Sequence, residues 1–193
     1  MKDQWETPYN AFNSMKVMLW RQHLEGMATG KLLPPVTVDF DPTNLCNSNC
    51  IWCNSATFRK RHPESMTTEH MLELADFLGE WGIKSACVAG GGEPMMNPGT
   101  AELLRRMKKV GVKTGVITNG IDMSEDQAKA IVDSSEWCGF SIDAGTRESF
   151  KAIHRVDKFD AVIENVKQLV AIKKERKSKL QITFKYLLHP LNA

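Results

Sequence analysis

The chain has 193 residues, 42% of them hydrophobic and 25% charged, with a formal net charge of +2. That composition belongs to a soluble globular protein of one domain, or two small ones, long enough to bury a sizeable core. So small a net charge gives no argument for binding nucleic acid or a membrane.

The opening MKDQWETPYN lacks the apolar run of a signal peptide, and no stretch approaches the roughly 20 apolar residues of a membrane span. Five cysteines without a secretion signal point to a reducing compartment, here taken as the cytoplasm. Residues 11–28 are predicted as one helix, ended by Gly30 and Pro34–Pro35. PVTVDFDPTN then alternates with period two as a first strand. MTTEHMLELADFLGEWG reads as a helix with Met71, Leu74, Ala75 and Leu78 on one face and Gly82 as its cap. IKSACVAG is a second strand running into GGGEP. The next helix should start at Asn97–Pro98 and carry Leu103, Leu104, Met107 and Val110. VKTGVITNG is a third strand, and Ser124 with Gln127 forms a capping-box pattern for the helix after it. WCGFSID is a fourth strand, Phe159 to Val170 mark a long amphipathic helix, and LQITFKYLLH is a fifth strand.

Repeated strand–helix alternation implies parallel strands joined by right-handed crossovers. An open doubly wound sheet and a whole or partial barrel are the two candidates. Strands buried on both faces should be almost continuously apolar. Here the first strand sets Thr37, Asp39 and Asp41 against Val36, Val38 and Phe40. The fourth sets Ser141 and Asp143 against Phe140 and Ile142, and the fifth sets Gln181, Thr183 and Lys185 against Ile182, Phe184 and Tyr186. A greasy face suits helices and a polar face suits a lumen holding a charged ligand, which favours the curved barrel; polar strand ends in solvent would give part of the same pattern.

CNSNCIWC, Cys46 to Cys53, places three cysteines in the loop after the first strand. Ligands bind at that carboxyl end in such folds. A structural zinc site takes four ligands, usually as two pairs; Cys87 and Cys138 lie in strands, and neither His62 nor His70 has paired spacing. Three thiolates without an evident fourth fit an iron–sulfur cluster with one iron left open. GGGEP is not followed by Lys-Ser/Thr, so Walker chemistry is unsupported, and no G-x-G-x-x-G is present.

The Cys-x3-Cys-x2-Cys spacing, with aromatic Trp52 before the last cysteine, resembles the signature of the radical SAM superfamily. The resemblance runs from about Val36 to His189 and implies an α/β fold: a partial (β/α) barrel at 35–193 with five strand–helix units, preceded by a helical extension at 1–34. A sixth strand has no counterpart. The expectation is a piece of a longer protein, a barrel completed by a second chain or a missing C-terminal segment, or an unusually short barrel. Cys46, Cys50 and Cys53 would hold a 4Fe–4S cluster, with Trp52 flanking the bound cofactor. Gly91, Gly92 and Glu93 match the family's GGE segment, whose backbone meets the amino group of S-adenosylmethionine (SAM). Thr118, Asn119, Ser141 and Asp143 match polar strand ends around SAM, although Asn119–Gly120 also reads as a plain turn. Arg155 would pair with the SAM carboxylate unless it is a solvated surface arginine. Lys185 would serve SAM or substrate unless it snorkels past a helix.

The implied activity is reductive cleavage of SAM to methionine and a 5′-deoxyadenosyl radical that takes hydrogen from a substrate, peptide or small metabolite. No catalytic residue beyond the cofactor set is assigned, and the reaction is of oxidoreductase or transferase-like type. An external electron donor of flavodoxin or ferredoxin type is implied. The alternative is a non-catalytic iron–sulfur or zinc-binding module, or an inactive fragment of such an enzyme.

Overall fold

A computed structural model describes residues 7, 9–14 and 16–193. The expected first helix is in pieces: a 3-10 turn at Asn10–Phe12, then α1 (Lys16–Leu19) and α2 (Arg21–Thr29), with residue 15 outside the described residues. Trp20, at φ −108° and ψ 69°, breaks the helical path between α1 and α2. Gly30, at φ 73°, closes α2 in the left-handed conformation that glycine takes without strain.

The barrel follows as β1 (Thr37–Phe40), α3 (Ala56–Arg61), α4 (Thr68–Trp81), β2 (Ser85–Val88), α5 (Thr100–Lys109), β3 (Lys113–Thr118), α6 (Glu125–Ser134), β4 (Ser135–Ser141), α7 (Arg147–His154), α8 (Phe159–Glu175) and β5 (Gln181–Lys185). The helix ends obey local chemistry. The Thr67 side chain accepts from the His70 N–H at the start of α4, and Gly82 caps its end at φ 90°. Ser124 and Gln127 close the capping box that opens α6. α5 begins two residues later than Pro98 suggests, because Asn97 has other partners. Its Nδ2 donates to the carbonyls of Pro42 and Met66 and to Ser65 Oγ, and its Oδ1 accepts from the Gly99 N–H. One buried amide thus ties the loop after β2 to the loop after β1.

The five strands pair in parallel in the order β1-β2-β3-β4-β5. Strand order never reverses, so there is no switch point of the doubly wound kind, and successive right-handed crossovers carry the helices to one face. That face is the core. Phe140 and Leu169 are fully buried there, as are Met71, Leu103, Met107 and Ile131 from the covering helices.

The other face is the polar lumen that the strand alternation predicts. Cys87 is raised to about 11, by burial first and the Asp39 charge next, with Lys185 opposing. Asp39 and Lys185 thus act on Cys87 from the same face of the sheet. Trp137 closes part of this lumen. Its ring lies where a Cβ on Gly115 would come within 2.1 Å of it, and Phe12 meets it edge-on at 5.6 Å. The Ala11 carbonyl accepts from Ser85 Oγ at 3.1 Å and also from Thr37 Oγ1, so the N-terminal turn is fastened to β1 and β2. Among the described residues no helix is long and apolar enough to cross a membrane.

Candidate cofactor site

The cysteine loop leaves β1 at Phe40 and is suspended from the carboxyl ends of its neighbours. From β2, the Glu93 N–H donates to the Leu45 carbonyl at 2.7 Å. From β3, Asn119 Nδ2 donates to Asn47 Oδ1 at 2.7 Å, and Asn47 Nδ2 donates to Asp122 Oδ2 at 2.8 Å. From the end of α7, the Ile153 and His154 carbonyls accept from Ile51 N–H and Asn49 N–H, each at 3.0 Å. A loop with no regular structure of its own is held this way because its backbone polar groups would otherwise lack partners.

Each cysteine sulfur has a polar neighbour. Ser48 Oγ sits between Cys46 Sγ at 3.4 Å and Cys50 Sγ at 3.5 Å. His154 Nδ1 lies 3.1 Å from Cys50 Sγ, and Arg59 Nη2 donates to Cys53 Sγ at 3.5 Å. Burial pushes the Cys50 thiol up, with Ser48 opposing and the other two cysteines adding to the rise. His154 is buried, stacked on Phe150 at 4.3 Å, and holds the Ile142 carbonyl through Nε2 at 2.6 Å. Burial pulls its pKa down, with the Ile142 carbonyl and the Asp143 charge opposing, and Nε2 donates to that carbonyl while Nδ1 faces Cys50 Sγ.

Glu93 is fully buried, and three donors converge on its carboxylate. Oε1 accepts from Thr118 Oγ1 at 2.6 Å and the Met95 N–H at 3.1 Å; Oε2 accepts from the Asn119 N–H at 2.7 Å. Burial raises its pKa against those donors. The side chain braces the end of β3 and leaves the backbone of 90–93 to face the cavity. Gly92 packs directly on the cysteine loop: a Cβ there would lie 2.3 Å from the Leu45 carbonyl oxygen and 2.4 Å from that of Thr43.

These parts surround one cavity of about 500 Å³ at the carboxyl ends of the strands, within the roughly 300–1,000 Å³ of small-molecule sites. Its lining brings together Cys46, Cys50, Cys53, Trp52, Gly91, Gly92, Glu93, Thr118, Asn119, Ser141 and Asp143, the residues singled out from the sequence. Arg155 and Lys185 do not line it. Arg155 is exposed, at φ 57° as the cap of α7; its neighbour His154 turns inward instead. Lys185 faces the lumen as expected, but its ammonium sits 5.9 Å from the Trp137 ring centroid. Asp143 reaches the wall with its carboxylate engaged: Oδ1 accepts from the Leu187 N–H at 2.6 Å and fixes the segment after β5. Trp52 lies toward that same segment, 5.6 Å from the His189 ring.

Sequence reasoning missed Ser48 and His154. It placed Arg59 near the site within RKRH, Arg59 to His62, as part of a solvated stretch or a phosphate or peptide contact, and the structure turns it to Cys53. Ser48 is inside the motif and was legible. His154 needed α7, a helix the sequence reading passed over although Thr146 and Ser149 cap it.

The donor set fits an iron–sulfur cluster. Among the described residues no three or more His, Cys, Asp or Glu side chains gather closely enough for a single ion. A cluster asks instead for three sulfurs on three separate irons, with hydrogen-bond donors around them. Arg59 Nε is buried and has no partner among the described residues, while Arg59 Nη2 reaches Cys53, so a hydrogen-bond donor is left over beside the cysteines.

An open parallel barrel with three cysteines on its first loop is a radical-chemistry scaffold, and the comparisons agree. The family model described as the Radical SAM superfamily matches residues 40–189, and the chain belongs to that superfamily. Its cofactors are a 4Fe–4S cluster and SAM. A probable GTP 3′,8-cyclase of Saccharolobus islandicus (strain M.14.25 / Kamchatka #1) is 29% identical over 131 residues, covering 67% of this chain and 42% of its own length. The chain thus spans about two fifths of that relative. Among solved structures, Streptococcus suis SuiB bound to precursor peptide SuiA superposes with a TM-score of 0.65 at 17% identity, over 98% of this chain and 40% of that one. The enzyme anSMEcpe with bound AdoMet and Cp18Cys peptide gives 0.56 at 20% identity, over 77% and 42%. Both likenesses establish the shared fold.

Proposed function

We propose that this chain is the catalytic core of a radical SAM enzyme that reductively cleaves SAM and directs the resulting 5′-deoxyadenosyl radical at a C–H bond of a peptide or small metabolite. One observation carries the reading: three cysteines, the Gly91–Glu93 backbone and the ends of β3 and β4 converge on one cavity. Cys46, Cys50 and Cys53 would hold the cluster, which when bound supplies one electron and an open iron for the amino and carboxylate groups of SAM.

The protein's own part is positioning, which removes the entropic cost of aligning the reacting groups. The backbone at Gly91 and Gly92 offers polar groups to the methionine end. Ser141 offers its hydroxyl to the ribose side, and Trp52 covers the mouth and limits water. Thr118 and Asn119, locked by Glu93, keep the β3 end in register with the cysteine loop. We assign residues 35–193 to this core and 1–34 to an extension whose Ala11 and Phe12 close the far side of the lumen. The reductant would be a flavodoxin- or ferredoxin-type protein. β5 lies at an edge of the five-stranded sheet, and its Phe184 is 62% exposed. Peptide is the bound partner in the two structural neighbours, and GTP names the activity of the curated relative.

Anaerobic reconstitution with iron and sulfide, followed by reduction with SAM present, should yield 5′-deoxyadenosine. Cys50→Ala should abolish it, with loss of iron–sulfur absorption. Stoichiometric zinc without that absorption in the unaltered protein would overturn the reading.

A further inference from the structure

The cysteine loop stands between two clefts. The inner one is the cofactor cavity described above. The outer one, about 280 Å³, is lined by Asn44, Leu45, Asn49, Ala56 and Lys60, and shares Cys46, Ser48 and Arg59 with the inner one. The loop is therefore a thin wall with a reaction chamber on one side and a surface groove on the other.

The surface flanking that groove is α3, whose last turn is basic, with Glu64 just beyond it, 3.5 Å from His62 Nδ1. Arg59, Lys60 and Arg61 form its last turn. From Pro42 to Pro63 the chain has these three basic residues and no Asp or Glu, whereas the whole chain nets only +2. Lys60 and Arg61 are exposed. Phe58 is 55% exposed, with its ring stacked on His62 at 4.7 Å. An aromatic ring among basic side chains has the composition of a protein-docking patch. Arg59 links the patch to the site, since it reaches Cys53 Sγ with Nη2 at 3.5 Å while also lining the outer groove.

We propose that the outer groove and the α3 surface form the docking face for the electron donor, an acidic one-electron carrier protein. This rests on the function proposed above, because only a cluster held by these cysteines needs an electron from outside. During turnover the inner chamber holds SAM and substrate and must exclude water, so a carrier protein cannot enter it and has to approach the cluster from outside. The outer groove brings a partner to within one side chain, Arg59, of a cluster ligand. Electron-transfer encounters use small interfaces, which a six-residue helix and its groove suit. Positive charge there steers an acidic carrier and raises its association rate at low salt.

The test uses the reconstituted full chain and a double charge reversal, Lys60→Glu with Arg61→Glu; neither residue touches the cysteines. Cluster reduction is followed by the loss of iron–sulfur absorption with two reductants, reduced flavodoxin and dithionite. With flavodoxin the variant should slow about tenfold or more at low ionic strength, while reduction by dithionite, a small anion that needs no docking face, should slow far less. In the unaltered protein the flavodoxin rate should fall as salt rises. An unchanged flavodoxin rate in the variant, or a salt-independent rate in the unaltered protein, would overturn the proposal; the latter stands even if the variant folds poorly. A variant that keeps the flavodoxin rate but loses binding to an acidic peptide would reassign the face to substrate. Failure of the underlying functional reading is seen separately, as missing iron–sulfur absorption before any donor is added.

Discussion

Gly92→Ala should destabilise the protein by about 3 kcal/mol, the upper part of the range for forcing an extra methyl into a packed site, and should leave it unable to retain iron. The methyl would sit 2.3 Å from the Leu45 oxygen, 2.4 Å from the Thr43 oxygen and 2.7 Å from the Asn44 carbonyl carbon. All three are backbone atoms, so no rotamer change can relieve them. Relief requires the cysteine loop to move off the β2 end, which breaks the 2.7 Å bond from the Glu93 N–H to the Leu45 carbonyl and displaces Cys46 next to it. Thermal melting gives the first number, and iron per chain after reconstitution gives the second. Gly91→Ala is the control, because its nearest atom is Asn44 Oδ1 at 3.4 Å, on a side chain that can yield. Equal stability and iron content in Gly92→Ala and the unaltered chain would show that the loop does not depend on this contact.

Glu93→Ala should cost a comparable amount, about 3 kcal/mol, because it strands the Thr118 hydroxyl and the Met95 and Asn119 N–H groups in a buried place, at roughly 1–3 kcal/mol for an unsatisfied group. Glu93→Gln keeps the volume but turns an NH2 toward one of those donors, so it should fall between. The pH dependence has a definite sign. Burial raises the pKa of the folded carboxyl above its ordinary value, so between the ordinary and the raised value the native state binds more protons than the unfolded chain. The Glu93 contribution is then fully present below the ordinary carboxylate pKa and declines as pH rises through the raised one. Denaturation of the parent and the Gln variant from pH 4 upward should therefore show the difference between them shrinking. A growing difference would contradict the cause assigned to the shift.

Both effects lie at a segment the sequence marks only as a tripeptide. GGGEP reads as a backbone that must come close to something; the nearest object proves to be the cysteine loop itself as much as any ligand. Glu93 lines the cavity, and its carboxylate also joins the ends of β2 and β3. The same holds for Asp143, which reaches the wall and holds Leu187. The polar residues at strand ends do meet at one cavity, but several are there to hold the cavity's shape.

Local pattern determined a great deal about this protein. Period-two polarity told lumen from core, since a strand with helices on one face and a ligand space on the other must alternate. The cysteine spacing marked the loop that the structure places at the cavity, and Ser124 with Gln127 located α6, because caps act over three residues. What lay beyond was the set of contacts between residues far apart in the chain. His154 meets Cys50 across 104 positions, and no periodicity or spacing records that pairing. Arg155 reads from the sequence as either a SAM-carboxylate partner or a solvated surface arginine, and the left-handed turn at the end of α7 leaves it exposed while His154 is buried. Side-chain chemistry is written residue by residue, but which buried donor meets which acceptor is decided only when the crossovers bring strand ends and helix ends together.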